Sequence, residues 1–143
     1  MTIRTATMND LNAITAVEAE CFPAAEAASR EEFSKRLTYY NDHFWLMFDE
    51  DKLIAFVDGF VTDEETLTDE MFHDASLHNP NGAWQMIFGV NTIPDYRKHG
   101  YAGELIKSCI ADAKAQGRKT CSDLQRKLLH YYAKFRFCKR RTF

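Results

Sequence analysis

The chain lacks most of the features that would set it apart from an ordinary globular domain. No apolar run approaches the roughly 20 residues that a membrane-spanning helix needs, and the opening Met1-Thr2-Ile3-Arg4 does not read as a secretory signal. Its four cysteines (Cys21, Cys109, Cys121, Cys138) show no Cys-x-x-Cys spacing and no close histidine partner, which excludes a disulfide scaffold or a patterned zinc site. The histidines His43, His73, His78, His99 and His130 are scattered too, so no metal is expected. An excess of one charge is also missing. Eighteen basic against twenty-one acidic residues leave a net charge of −3, which speaks against a nucleic-acid binder. Internal repeats, linkers and low-complexity stretches are absent.

What is present is 143 residues, 45% hydrophobic and 13% aromatic. That is enough for one domain, and a domain of this size buries roughly 70% of its unfolded surface without staples. The expected setting is the cytoplasm, with buried, reduced thiols. Charge is balanced only globally. Ten acids and one base lie between Asp49 and Asp74, while ten bases and one acid lie from Lys114 to the end. Two solvated faces are the plain reading. Beside a ligand-binding motif, the same asymmetry would attract a cation to one face and an anion to the other.

Thr2 to Ala6 reads as a short strand, and Thr7 with Asp10 as a capping box opening a helix that runs to about Glu20. Cys21-Phe22-Pro23 should end it. Ser29-x-x-Glu32 opens a second helix carrying Phe33 and Leu37. His43 to Phe48 and Leu53 to Val61 form a hairpin about Asp49–Lys52. Asp58, between Phe56 and Phe60, is expected to point toward a turn or solvent, with a general-base role as the alternative. Thr62 to Gly82 is a polar, acidic loop with one helical turn. Ala83 to Thr92 alternates as a central strand, with Trp84, Met86, Phe88 and Val90 on one face and Gln85, Ile87, Gly89 and Asn91 on the other. A glycine inside such a strand marks a bulge or a close approach of backbone. Pro94 ends the strand, and Leu105, Ile106, Cys109, Ile110 and Ala113 recur at helical spacing up to Gly117. A last helix spans Lys127 to Phe135.

Between that strand and helix stands Arg97-Lys98-His99-Gly100-Tyr101-Ala102-Gly103. A helix N-terminus carries unpaired N–H groups and partial positive charge. Glycine lets backbone approach an anion, and Arg97 and Lys98 add charge. The turn is neither a Walker loop nor a dinucleotide fingerprint. It reads as an anion site, against the plain alternative of a strand-to-helix turn with incidental glycines.

Pro94-Asp95-Tyr96-Arg97-Lys98-His99-Gly100-Tyr101-Ala102 resembles the acetyl-CoA signature of the GNAT superfamily of N-acyltransferases, Arg/Gln-x-x-Gly-x-Gly/Ala. Glu20-Cys21-Phe22-Pro23, the acidic stretch Asp63 to Glu70, and Tyr132-Ala133-Lys134-Phe135-Arg136-Phe137 resemble the arylalkylamine (serotonin-type) branch. The resemblance implies a mixed α/β fold with helices flanking a central sheet, spanning residues 1–143 as one domain. It also implies acetyl-CoA as co-substrate and transfer of its acetyl group to a small primary amine by direct attack. By position, the backbone of Val90 and Thr92 would pair with the pantetheine arm, and the Val90 amide would polarise the thioester carbonyl. Backbone N–H groups of Lys98, Gly100, Ala102 and Gly103 would hold the pyrophosphate, with Arg97 and Tyr101 in the same cofactor-binding set. Tyr132 would protonate the leaving thiolate, and Phe22 would line the amine pocket.

Three departures from the family pattern stand out. Met86 and Phe88 occupy positions where the vertebrate-type enzymes carry histidines, so the base is unassigned. Arg118 to Ser122 is short and polar where the family has an apolar strand. After Phe137 the closing strand pair is missing, so the carboxyl-terminal sheet should be incomplete, with an edge open to a second copy of the chain. The alternative is therefore a degenerate acyl-CoA-binding domain without turnover. A third reading, binding of RNA, DNA or an anionic surface through the basic tail, is disfavoured because aromatics are not interleaved with its bases.

Overall fold

Two local signals open the fold. Thr7 and Asp10 form a reciprocal capping box, which starts a 3₁₀ turn over Met8–Asp10 that runs into α1 (Leu11–Cys21). Arg4 donates two bonds of 2.9 Å to Asp10 and holds that carboxyl below its usual range, although burial opposes the shift. Ser29 and Glu32 form the second capping box, at the start of α2 (Arg30–Tyr40). Both expectations hold because each box needs residues only three apart. The structure, a computed structural model, describes residues 1–120.

β1 (Thr2–Thr5), β2 (Phe44–Asp49) and β3 (Lys52–Asp58) form an antiparallel meander. Next come β4 (Val61–Thr62), the short helix α3 (Asp69–His73), β5 (Trp84–Gln85), β6 (Gly89–Thr92) and α4 (Tyr101–Ala115). The main sheet has the order β1-β2-β3-β6, and β4 pairs separately with β5. Successive side chains of a strand face opposite ways. Accordingly Phe44 packs on Tyr40 and Phe33 of α2, while Trp45 donates to Asp112 of α4 at 2.7 Å. Helices therefore cover both faces of the sheet, and buried Phe33, Phe44, Phe56 and Phe88 fill the α1–α2 side.

The sequence predicts one continuous strand from Ala83 to Thr92, but the structure breaks it. Asp58 pairs with Gly89 and Val61 with Gln85, so three steps on one strand face four on the other. The extra residue makes a bulge over 86–88. Its cause lies across the sheet at Gly59, where a Cβ would stand 2.0 Å from the Met86 carbonyl oxygen. Alternation fails there as well. Phe88 packs on Tyr40 and Phe72, and Asn91, three residues on, donates to Glu18 of α1 on the same side of the sheet.

Asp58 also departs from its expected place. It is 1% exposed, and its carboxylate accepts from Arg36 at 3.1 Å. Arg36 comes from α2, whose Phe33 packs on Phe56 of β3 on this face, so the carboxylate turns inward to an ion pair rather than outward to solvent. Burial disfavours the Arg36 charge, but Asp58, followed by Tyr40, Glu18 and Glu32, holds its pKa above the ordinary value. The Thr62–Gly82 loop holds one helical turn as expected, α3, and a 3₁₀ turn over Ala75–Leu77.

Candidate active site

The site is built along the outer edge of β6. Ile93 N–H donates to Ile54 at 3.0 Å, and Asn91 and Gly89, two and four residues back, stand opposite Phe56 and Asp58. In an antiparallel pair the bonded residues alternate, so Gly89, Asn91 and Ile93 turn their backbone groups toward β3. Val90 and Thr92 turn theirs the other way. At the far end of the same edge, Lys119 makes a parallel bridge to Trp84, with Gln85 N–H donating to Lys119 at 2.9 Å. Among the described residues, which end one position after Lys119, no strand continues from that bridge alongside β6.

Thr92 is the better defined of the two edge residues. Its carbonyl accepts from Arg97 Nε at 2.8 Å and from Cys21 Sγ at 3.4 Å. Both lone pairs are engaged, and the Thr92 N–H and the Val90 N–H and carbonyl lie on the side of β6 away from β3. Burial pushes the Cys21 thiol up, while the nearby Arg97 pulls the other way. Cys21 and Cys109 are both buried free thiols. Thr92 Oγ1 and Asn91 Oδ1 are buried without a hydrogen-bond partner among the described residues.

Beyond β6, a 3₁₀ turn over Pro94–Tyr96 leads to Arg97 in extended backbone. Lys98 then adopts φ 68° and Gly100 φ 82°, two left-handed residues directly before α4. Such a conformation in lysine is uncommon and concentrates at functional sites. At Gly100 it explains the residue type, since the helix N-cap here is left-handed. A cavity of about 40 Å³ opens at this end of α4, lined by Thr92, Tyr96–Lys98 and Gly100–Gly103. A Cβ built at Gly100 or Gly103 meets nothing within 4 Å among the described residues. The unpaired N–H groups of the first turn of α4, the adjacent guanidinium and the outer β6 edge together fit an acyl-CoA. The edge would take the pantetheine arm and the turn its pyrophosphate.

A larger cavity, about 320 Å³, lies between α2 and the acidic loop, lined by residues 25–28, Glu32, Arg36, Asp69, Phe72 and His73. Its floor adjoins the bulge: Arg36 stacks over Phe88 at 5.9 Å and donates to the Phe72 carbonyl at 2.9 Å, and the Phe72 ring lies 5.0 Å from Phe88. Glu26, Glu32 and Asp69 give the lining three carboxylates against Arg36 and His73. Bonding with Ser29 and the charge of Arg36 outweigh burial and keep the Glu32 carboxyl low.

A sequence model of the acetyltransferase (GNAT) family matches residues 11–137. The chain belongs to this family. Its GNAT fold is shared with solved structures that carry different activities. GphF, a GNAT-like decarboxylase in complex with isobutyryl-CoA, is 29% identical with a TM-score of 0.71, over 79% of this chain and 59% of that one. The loading GNATL domain of CurA from Lyngbya majuscula is 20% identical with a TM-score of 0.73, over 82% and 61%. Diaminobutyrate acetyltransferase EctA from Paenibacillus lautus, in complex with its substrate and coenzyme A, is 14% identical with a TM-score of 0.61, over 93% and 74%. The chain thus spans about three fifths of the length of the first two. No curated protein sequence matches it.

Within this GNAT fold the sequence-predicted residues divide into two groups. Val90, Thr92, Arg97, Lys98, Gly100, Tyr101, Ala102 and Gly103 come together along β6 and the start of α4. Phe22 ends α1 and is 4% exposed, packed in the core rather than lining the larger cavity. Tyr132 and the predicted last helix lie outside the described residues. Met86 and Phe88 are buried at the bulge. Sequence reasoning missed Arg36, whose partner is 22 residues away. It also missed a buried polar group in which His43 Nδ1 donates to Gln85 at 2.7 Å and His78 Nδ1 accepts from Val61 N–H at 3.0 Å. No helix among the described residues is long and apolar enough to cross a membrane.

Proposed function

We propose that the chain is an acyl-CoA-dependent N-acetyltransferase that acetylates a small primary amine. The carrying observation is the β6 edge turned away from β3, which leads into the left-handed turn at Lys98 and Gly100 before α4. In this reading residues 1–143 form one such domain, acting in the cytoplasm, where Cys21 and Cys109 stay reduced. The backbone N–H groups of Lys98, Gly100, Ala102 and Gly103 hold the pyrophosphate. Val90 N–H donates to the thioester carbonyl oxygen and stabilises the charge that develops there. The neutral amine attacks, an N–C bond forms and the C–S bond breaks. The amine proton leaves to water, and Tyr132 protonates the thiolate.

The cavity above the bulge takes the acceptor. Its carboxylates draw the ammonium form in from solvent, and Phe72 offers an apolar face, which suits an arylalkylamine. A second reading follows from the 29% identity to a GNAT-like decarboxylase: loss of carbon dioxide from a carboxyacyl-CoA at the same edge. Here too Met86 and Phe88, which cannot titrate, leave the bulge without a base of its own.

Thiol release with acetyl-CoA and a panel of amines, including tryptamine and phenethylamine, tests the proposal. Acetyl transfer yields free CoA thiol only when amine is present. Carbon dioxide from malonyl-CoA without thiol release would favour the second reading. Thermal stabilisation by acetyl-CoA without turnover of either kind would leave the degenerate acyl-CoA-binding domain.

A further inference from the structure

A row of rings stands beside the pyrophosphate turn, and its outer member, His99, has no role in the chemistry above. His99 and Tyr101 flank Gly100, with ring centroids 5.5 Å apart and planes tilted by 30°. Tyr101 is backed by Tyr96 at 6.4 Å. Tyr96 is itself fixed, since its hydroxyl donates to Asp49 at 2.8 Å and Lys52 lies 5.7 Å over its ring. The row is therefore anchored at one end and open at the other. His99 is the open end: it is exposed, and it has no hydrogen bond or ion pair among the described residues. Tyr101 is half-buried against the core, whereas the exposed His99 imidazole, with no bond tying it, does little for the fold.

We propose that the His99–Tyr101 pair is the stacking face for the adenine of the donor. The chain would then select a free coenzyme thioester over one tethered through phosphopantetheine alone. This rests on the acyl-CoA reading and adds the nucleotide to it. In coenzyme A the adenosine follows the pyrophosphate directly, and His99 and Tyr101 border the turn that would hold that pyrophosphate. Charge sets the direction. Asp49 and Asp95 surround the Tyr96 end and repel a phosphate, whereas Lys98 stands at the His99 end. A flat heteroaromatic base gains contact on an aromatic face whatever its hydrogen-bonding edge, and loss of one such face typically weakens binding about tenfold.

Isothermal titration of the full chain with acetyl-CoA and with S-acetyl-4′-phosphopantetheine provides the test. The expected result is acetyl-CoA binding at least tenfold tighter than its nucleotide-free fragment. His99→Ala should weaken acetyl-CoA about tenfold and leave the fragment's affinity unchanged. Tyr101→Leu should weaken acetyl-CoA similarly, while Tyr101→Phe, which keeps the ring, should restore it. Equal affinity for the two ligands, or equal loss for both in His99→Ala, overturns the adenine site while leaving acyl-CoA binding intact. Failure of the unaltered chain to bind either ligand overturns the acyl-CoA reading itself, and this inference with it.

Discussion

Replacing Arg36 with methionine should be the most damaging single change to the fold that supports the site. The guanidinium is 5% exposed and the Asp58 carboxylate 1% exposed, 3.1 Å apart. It also donates to the Phe72 carbonyl and stacks over Phe33 at 5.2 Å. Removing one member of a buried pair costs about 3–5 kcal/mol, because the other charge loses its counter-ion in the interior. A domain of this size has only about 5–15 kcal/mol to lose. At an m-value of about 2 kcal/mol per M in urea, a loss of about 4 kcal/mol moves the midpoint down by about 2 M. The assay is urea unfolding followed by the fluorescence of the chain's two tryptophans, Trp45 and Trp84, both buried. Arg36→Met/Asp58→Leu should recover most of the loss, since two apolar side chains leave no charge stranded. A midpoint shift below about 0.5 M for Arg36→Met, or a double variant no better than the sum of the singles, would refute the reasoning.

Three further outcomes are expected. Gly59→Ala should cost about 3 kcal/mol or more and abolish acetyl-CoA binding, because the new Cβ meets Met86 backbone at 2.0 Å and the bulge must shift; urea unfolding and titration calorimetry read both effects. Burial, with His43 beside it, pushes the His78 imidazole down to about 4, and burial lowers His43 as well. The fold therefore disfavours the protonated rings, so their contribution is present above the ordinary value of 6.5 and is lost as pH falls from there toward about 4. Melting temperature should decline across that window, and His78→Gln should flatten the decline. Tyr132→Phe should lower amine-dependent thiol release about a hundredfold, with acetyl-CoA affinity unchanged in calorimetry.

The parts of the fold that were legible in the sequence are those that local chemistry specifies. Thr7–Asp10 and Ser29–Glu32 announce their helices because a capping box closes within one turn. Pro94 to Gly103 announces a strand-to-helix turn because a strand end, glycines and a helix start lie in one short stretch. The bulge was hidden because its cause, Gly59, sits across the sheet from Met86. A period-two pattern carries no sign of an extra residue until its partner strand is in place. Asp58 was misplaced for a similar reason: between Phe56 and Phe60 it looks like an outward carboxylate, and only the packing of α2 brings Arg36 over it. His43, His78 and Gln85 meet from three separate segments, and no spacing rule links them.

The central claim is that the turn before α4 holds the phosphates of an acyl-CoA on backbone N–H groups, and Gly100→Asp tests it most directly. Aspartate tolerates the left-handed conformation better than most residues, and a Cβ at this position meets nothing within 4 Å among the described residues, so the fold should survive. Its carboxylate would then face the phosphates. Calorimetric titration with acetyl-CoA should give clear binding to the unaltered chain and at least a tenfold loss in Gly100→Asp, with the melting temperature of the ligand-free protein little changed. Equal affinity in the two proteins, or no binding to the unaltered chain, would contradict the account.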